Sequence, residues 1–253
     1  MVKKAPLLFL VMLLVLVSLS CTNPITMYQN TQAALNQTAT AKLWTPTPTF
    51  TSSNTPTNTP TDTPTFTPTP DYLFFDDFED DGSGWLEDED ESVLRGYSDG
   101  AYRILIKEAD IFAWARLPND ETYSDVRIEV DAMRVDGPDQ NEFGVMCRYQ
   151  DNSNFYALEV TSDGYALIFK YEDGDYTGLS SEYFEEVDGI NPDDWNKIVA
   201  VCDGENLELY ANDELVASAV DDTFGDGEIA LVAGDFDDGG ADIIFDNLYV
   251  REA

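Results

Sequence analysis

From residue 71 onward, apolar side chains recur at every second position, and Asp-Gly dipeptides cut the pattern into short pieces. Tyr102, Ile104 and Ile106 alternate with Arg103 and Lys107, and Val126, Ile128, Val130 and Ala132 alternate with Arg127, Glu129 and Asp131. This period places successive side chains on opposite faces of an extended strand. Similar runs occupy residues 143–149, 155–161, 165–171, 195–202, 207–210, 214–220, 228–233 and 243–250. Nine Asp-Gly dipeptides, beginning at Asp81, Asp99, Asp136, Asp163, Asp173, Asp188, Asp203, Asp226 and Asp238, supply the positive φ that tight hairpins need. No long helix-period segment competes. Short strands with frequent turns predict an all-β, antiparallel two-sheet β-sandwich or a barrel over residues 71–253.

The preceding residues are of another kind. Lys3 and Lys4 stand before an apolar run at residues 7–17, followed by Ser18-Leu19-Ser20-Cys21. A charged start, a short apolar stretch and a small residue before a Cys make residues 1–20 an export signal. It resembles a bacterial lipoprotein signal, which implies lipid on the Cys21 thiol and an extracytoplasmic, membrane-anchored protein. The aliphatic residue such signals prefer three positions before the Cys is displaced here to Leu19. An uncleaved anchor or ordinary secretion stays open. Residues 21–70 form a spacer, rich first in Asn, Gln and Thr. Its later part, residues 45–70, holds twelve Thr and seven Pro. Proline fixes φ and removes amide donors, so this stretch extends as a disordered stalk and pairs into no sheet.

Charge excludes further classes. The 253-residue chain has 13 Lys+Arg against 50 Asp+Glu, a formal net charge of −37, and no His. Triads and metal sites that need imidazole are impossible within the chain. Nucleic acid and anionic lipid would be repelled at every approach, so contact with the membrane is expected only through the N-terminal lipid.

Several motifs then coincide. They are Phe143-Gly144-Val145-Met146-Cys147-Arg148-Tyr149-Gln150-Asp151, Asn154-Phe155-Tyr156 and Ser162-Asp163-Gly164-Tyr165, with Gly227-Glu228-Ile229-Ala230-Leu231 and the closing Phe245-Asp246-Asn247-Leu248-Tyr249-Val250. Together they resemble the concanavalin A-like lectin/glucanase jelly roll of the laminin-G / 3-keto-disaccharide hydrolase type, over about residues 71–253. The resemblance implies a jelly-roll sandwich among relatives that include glycan binders, adhesion modules and hydrolases; fold alone does not choose between them. Laminarinase-like enzymes of this fold carry Glu-x-Asp-x-x-Glu on one strand. Here Glu129-Val130-Asp131 begins that pattern and Arg134 ends it. Arginine cannot donate a proton at neutral pH. No catalytic residue is therefore assigned, and Glu129 and Asp131 are expected to face solvent.

Cys147 and Cys202 are an even pair in an exported domain, which predicts a disulfide between neighbouring strands; two buried free thiols are the alternative. Asp77, Glu79 and Asp81 place oxygens at alternate positions before Gly82. Related jelly rolls often hold a structural Ca²⁺ between such an N-terminal segment and a carboxylate near the last strand, which implies Asp246 as a further ligand. Local amide bonding is the alternative for Asp246. The ligand-binding residues expected are Trp114 and Tyr156 as stacking platforms, with Arg148, Asn154 and Lys170 as polar partners. Strict alternation would turn Arg148 outward. The expected function is binding of a neutral glycan without catalysis. A glycoside-acting hydrolase, favoured by a close, partly buried carboxyl pair, and a purely structural or adhesive module are the alternatives.

Overall fold

A computed structural model describes residues 72–236 and 239–253. The export signal, Cys21 and the Thr/Pro-rich spacer lie outside the described residues. Among the described residues, sixteen strands follow one another: β1 (Phe74–Asp76), β2 (Asp88–Glu89), β3 (Val93–Ser98), β4 (Ala101–Ile106), β5 (Ile111–Arg116), β6 (Val126–Asp136), β7 (Asn141–Asp151) and β8 (Asn154–Val160). They continue as β9 (Tyr165–Glu172), β10 (Asp175–Gly178), β11 (Glu185–Glu186), β12 (Asn196–Asp203), β13 (Asn206–Ala211), β14 (Glu214–Val220), β15 (Glu228–Asp235) and β16 (Asp242–Glu252). At two hairpins the Asp-Gly turns behave as the sequence predicts. Asp99 and Gly100 join β3 to β4 with φ of 52° and 78°, and Asp173 and Gly174 join β9 to β10 with φ of 54° and 85°. Two successive residues at positive φ match the right-handed twist of the strands they connect.

The strands form two antiparallel sheets. The nine-stranded sheet runs β14-β13-β12-β6-β16-β4-β3-β2, with β1 also on β16. The seven-stranded sheet runs β10-β9-β8-β7-β15-β5, with β11 also on β9. Inward positions of both sheets meet in one core, with Ile104, Ile128 and Phe245 from the first and Val145, Leu158 and Leu231 from the second. Cys147 of β7 is bridged to Cys202 of β12, with Cα atoms 6.9 Å apart. This corrects the expectation of neighbouring strands: the bond crosses the core and ties one sheet to the other. Both cysteines occupy inward positions on facing sheets, so the bridge replaces an apolar contact.

A bulge in β7 determines what its residues can reach. Met146 pairs with Ala230 and Tyr149 with Glu228, so β7 takes three steps where β15 takes two. Arg148 absorbs the extra residue at φ 52°. Gly227 lets the strands approach there, since a Cβ on it would lie 2.4 Å from the Arg148 carbonyl carbon. Such an insertion reverses the in/out order beyond it. Cys147 faces the core, Arg148 is turned inward as well, and Tyr149 takes the outer position that alternation assigned to Arg148.

Candidate ligand-binding face

The outer face of the seven-stranded sheet is apolar too. Met146, Tyr149, Phe155, Ala157, Leu167, Phe169, Ala230 and Val232 form a second buried cluster, with Phe112, Trp114, Tyr171 and Phe184 packed against it. These are the positions that alternate with the core residues of β5, β7, β8, β9 and β15. The rings run continuously. Trp114 lies 6.3 Å from Phe155, Phe155 lies 5.2 Å from Tyr171, and Phe169 lies 5.3 Å from Tyr176. Tilted and edge-to-face contacts at these spacings stabilise aromatic clusters beyond the area they bury.

Two concavities open on this floor. The first, about 910 Å³, is polar and is lined by Leu86, Arg95, Trp114, Arg116, Tyr149 and the 150–154 turn, with Asp173 at its edge. Arg95 is held by a fork to Asp88 and by a bond to the Trp114 carbonyl oxygen, each at 2.8 Å. Arg116, half exposed, donates to Glu228 Oε2 at 2.6 Å and lies 6.0 Å from the Tyr149 ring centre. The second, about 640 Å³, is an aromatic bowl lined by Phe112, Phe169, Tyr171, Tyr176, Phe184 and Phe236, with Glu142 at its base.

Glu142 is paired with Glu159, which is wholly buried. They extend from adjacent strands, Glu142 opposite Gly234 of β15 and Glu159 opposite Gly144 of β7. A Cβ on Gly234 would come within 2.3 Å of Glu142 Oε1, so a larger residue there would displace the carboxyl. The carboxyl occupies the hollow that glycine leaves in the sheet surface. When both groups are ionised, neither Glu159 oxygen has a donor. Burial pushes the Glu142 carboxyl up to about 7, and burial together with the Glu142 charge pushes Glu159 well above the ordinary carboxylate range. At neutral pH the two therefore share a proton, since two anions in contact in a low dielectric cannot both persist.

The residues expected from the sequence divide between this face and the interior. Trp114 is part of the aromatic floor and Asn154 lines the polar cleft, its side chain bonded to Asp151 and to the Asp173 amide. Arg148, Tyr156 and Lys170 require correction. Arg148 is 1% exposed and donates to the carbonyl oxygens of Ser124, Gly204 and Phe224, with Asp125 at 3.4 Å. Tyr156 is in the core, its hydroxyl donating to Asp221 Oδ1 at 2.5 Å. Lys170, opposite Tyr156 on β9, gives its ammonium to Asp221 and to Thr223 Oγ1. All three are buried on internal partners and do not line the outer face. In a sequence such polar ends resemble ligand groups, whereas burial demands internal partners for them.

Of the expected Ca²⁺ ligands, Asp77 and Glu79 lie near enough to Asp246 for their charges to act on it. Among the described residues no group of three or more acidic or thiol side chains converges closely enough to hold a metal ion. Asp77 Oδ1 accepts from the Glu79 amide at 3.4 Å, and Asp246 Oδ1 accepts from the Asn247 amide at 2.7 Å. Carboxylates so placed bond their own local backbone. Burial raises Asp246 to about 7, with smaller contributions from Asp131, Glu79 and Asp77. Glu129 and Asp131 lie on the nine-stranded sheet, away from the aromatic face. Glu129 is ion-paired with Arg127 and Arg251.

Sequence reasoning missed Glu142, Glu159, Arg116 and the aromatic bowl. The signal was present in β8, β9 and β15, whose near-continuous apolar runs indicate strands covered on both faces. Glu159 alone interrupts the outer set of β8, following Phe155 and Ala157.

Residues 73–251 match the model of the 3-keto-alpha-glucoside-1,2-lyase-like domain. The chain belongs to that family. Among solved structures, its domain is similar to the carbohydrate binding module CBM66 from Bacillus subtilis, with 20% identity and a TM-score of 0.53 over 67% of this chain and 96% of that one. It is also similar to a prokaryotic beta-1,3-1,4-glucanase (lichenase) from a mouse hindgut metagenome, at 13% identity and 0.52 over 71% and 99%. A third is the GH43 BlXynB protein from Bacillus licheniformis, at 15% and 0.53 over 71% of this chain and 39% of that one. No curated protein matches the sequence. At these identities the likeness is one of fold: the family domain is a concanavalin A-like jelly roll.

Proposed function

We propose that this family member is an exported, surface-tethered module that binds a neutral glycan on the outer face of its seven-stranded sheet, without turning it over. The aromatic floor beside the polar cleft carries the reading. Sugars lay their C–H faces on rings while hydroxyls bond flanking forks and amides, and Trp114, Tyr149, Arg95 and Arg116 combine these chemistries in one place. A net charge of −37 disfavours anionic polymers. Likeness in fold to a carbohydrate binding module agrees with this use of the face. The signal at residues 1–20, lipid on Cys21 and the stalk at 21–70 would hold the domain outside the cell.

A glycan array probed with the whole domain, followed by titration of the best neutral oligosaccharide, tests the proposal. Trp114→Ala is expected to weaken binding about 30-fold, corresponding to about 2 kcal/mol for a central aromatic anchor. Arg116→Ala, at the rim, is expected to weaken it less and to leave the melting temperature unchanged. Unaltered affinity in both variants refutes this placement.

The buried Glu142–Glu159 pair and the family itself favour a second reading, a glycoside-acting hydrolase. The pair's geometry argues against it. Retaining hydrolysis needs carboxyls about 5 Å apart, and inversion needs more. Both carboxyls must also reach the scissile bond, and Glu159 has no exposed surface with which to touch a substrate. Release of new reducing ends by wild type, lost in Glu142→Gln, would establish the hydrolase instead.

A further inference from the structure

The aromatic bowl needs an occupant different from the one suited to the polar cleft. Its walls are the faces and edges of Phe112, Phe169, Tyr171, Tyr176, Phe184 and Phe236, and no Lys or Arg lines it. Phe169, Tyr171 and Tyr176 meet one another at 5.3 to 6.1 Å, and Phe184 meets Phe236 at 5.8 Å. Tyr176 and Phe236 are exposed at the mouth. Under this ring lies negative charge, with Glu142 at the base and Glu159 buried behind it without a donor for either oxygen. A neutral apolar guest would leave that charge uncompensated. A metal ion would need several converging oxygens, and among the described residues none are so arranged. A strongly hydrated ammonium would forfeit its water to rings that return only weak bonds.

We propose that the bowl binds a small alkylated ammonium ion, its methyl groups against the rings and its charge above Glu142. Ring faces carry a negative quadrupole that attracts such cations, and attraction grows when both charges are shielded from water. About 640 Å³ is the scale of a small-molecule site. The acidic protein repels carriers bearing phosphate, so the cation is a free solute and not a lipid headgroup. The site is separate from the glycan cleft, and the inference does not rest on that reading.

Because the Glu142 carboxyl is held near 7, a bound cation competes with the shared proton. The ionisable groups facing the pair are Asp163 at the rim and the phenols of Tyr165, Tyr171, Tyr176 and Tyr183. Tyr171 and Tyr176 are raised by burial and by both glutamates, so they stay neutral in the relevant range. Lys170 faces the other way, towards Asp221. Affinity should therefore fall by up to about tenfold per pH unit below about 7.

Titration calorimetry with choline, and with its uncharged isostere in which a tert-butyl group replaces the trimethylammonium, tests this on the intact domain. The expected result is choline binding that is about tenfold or more tighter than isostere binding at about pH 8 and weakens at about pH 6. Glu142→Gln should lose about tenfold, while glycan binding at the polar cleft persists. Tyr176→Ala, on the exposed edge strand, should also weaken choline binding without unfolding the domain. Equal binding of choline and isostere, no choline binding at millimolar concentration, or an unaffected Glu142→Gln overturns the proposal. Retention on phosphatidylcholine vesicles without binding of free choline overturns it too.

Discussion

Replacing Glu142 by Gln should make the domain more stable at alkaline pH and leave it nearly unchanged in acid. The carboxyl pair shares a proton in the folded state, and Glu142 is raised from 4.5 to about 7. A carboxyl whose folded pKa lies above its unfolded value stabilises the fold while protonated, and that stability is lost as pH rises through the folded value. From pH 5 to about 7, each unit removes about 1.4 kcal/mol, and above 7 the loss levels off. The pair should therefore cost wild type about 3 kcal/mol between about pH 5 and pH 8. Asp246, also raised to about 7 and only partly buried, adds a smaller loss of the same sign. In Glu142→Gln the group that ionises near 7 is gone, and only the Asp246 contribution should remain. Urea unfolding at the two pH values measures the difference; about 3 kcal/mol corresponds to roughly 6–12 °C in melting temperature for a domain of this size. A Glu142→Gln variant whose stability falls with pH as steeply as wild type would refute the raised Glu142 carboxyl.

Three further outcomes follow from the same structure. Cys147→Ala with Cys202→Ala should cost about 4 kcal/mol in the chain-entropy account for a separation of 55 residues, read from denaturation with and without reductant. Arg148→Met should lower stability by about 3 kcal/mol, because three carbonyl oxygens lose their donor, that of Phe224 in a buried bond; any folded fraction should bind glycan as wild type does. Gly234→Ala should displace the Glu142 carboxyl, since the new Cβ would fall 2.3 Å from Oε1. It should weaken choline binding more than glycan binding.

Strand positions were legible because alternation and Asp-Gly turns act locally, and each hairpin needs only its own residues. The placement of Arg148 was not. It depended on a one-residue bulge whose permissive partner, Gly227, lies on another part of the chain. The disulfide partners were legible from their number and compartment, but which strands they join depends on how two sheets stack. The aromatic face could have been inferred from strands apolar on both sides. The pairing of Glu142 with Glu159 could not, because it arises from cross-strand register and from glycines that leave room for carboxyls. For Asp77 and Asp246, spacing suggests metal ligands, and each carboxylate also accepts from a nearby backbone amide.

Ligand is expected on the outer face of the seven-stranded sheet. Amide and side-chain chemical-shift mapping with the neutral oligosaccharide selected by an array tests it most directly. Shifts should concentrate on Trp114, Arg116, Tyr149 and the 150–154 turn, with Arg127, Glu129 and Arg251 on the opposite sheet unmoved. Shifts centred on those three residues, with Trp114 and Tyr149 silent, would contradict it.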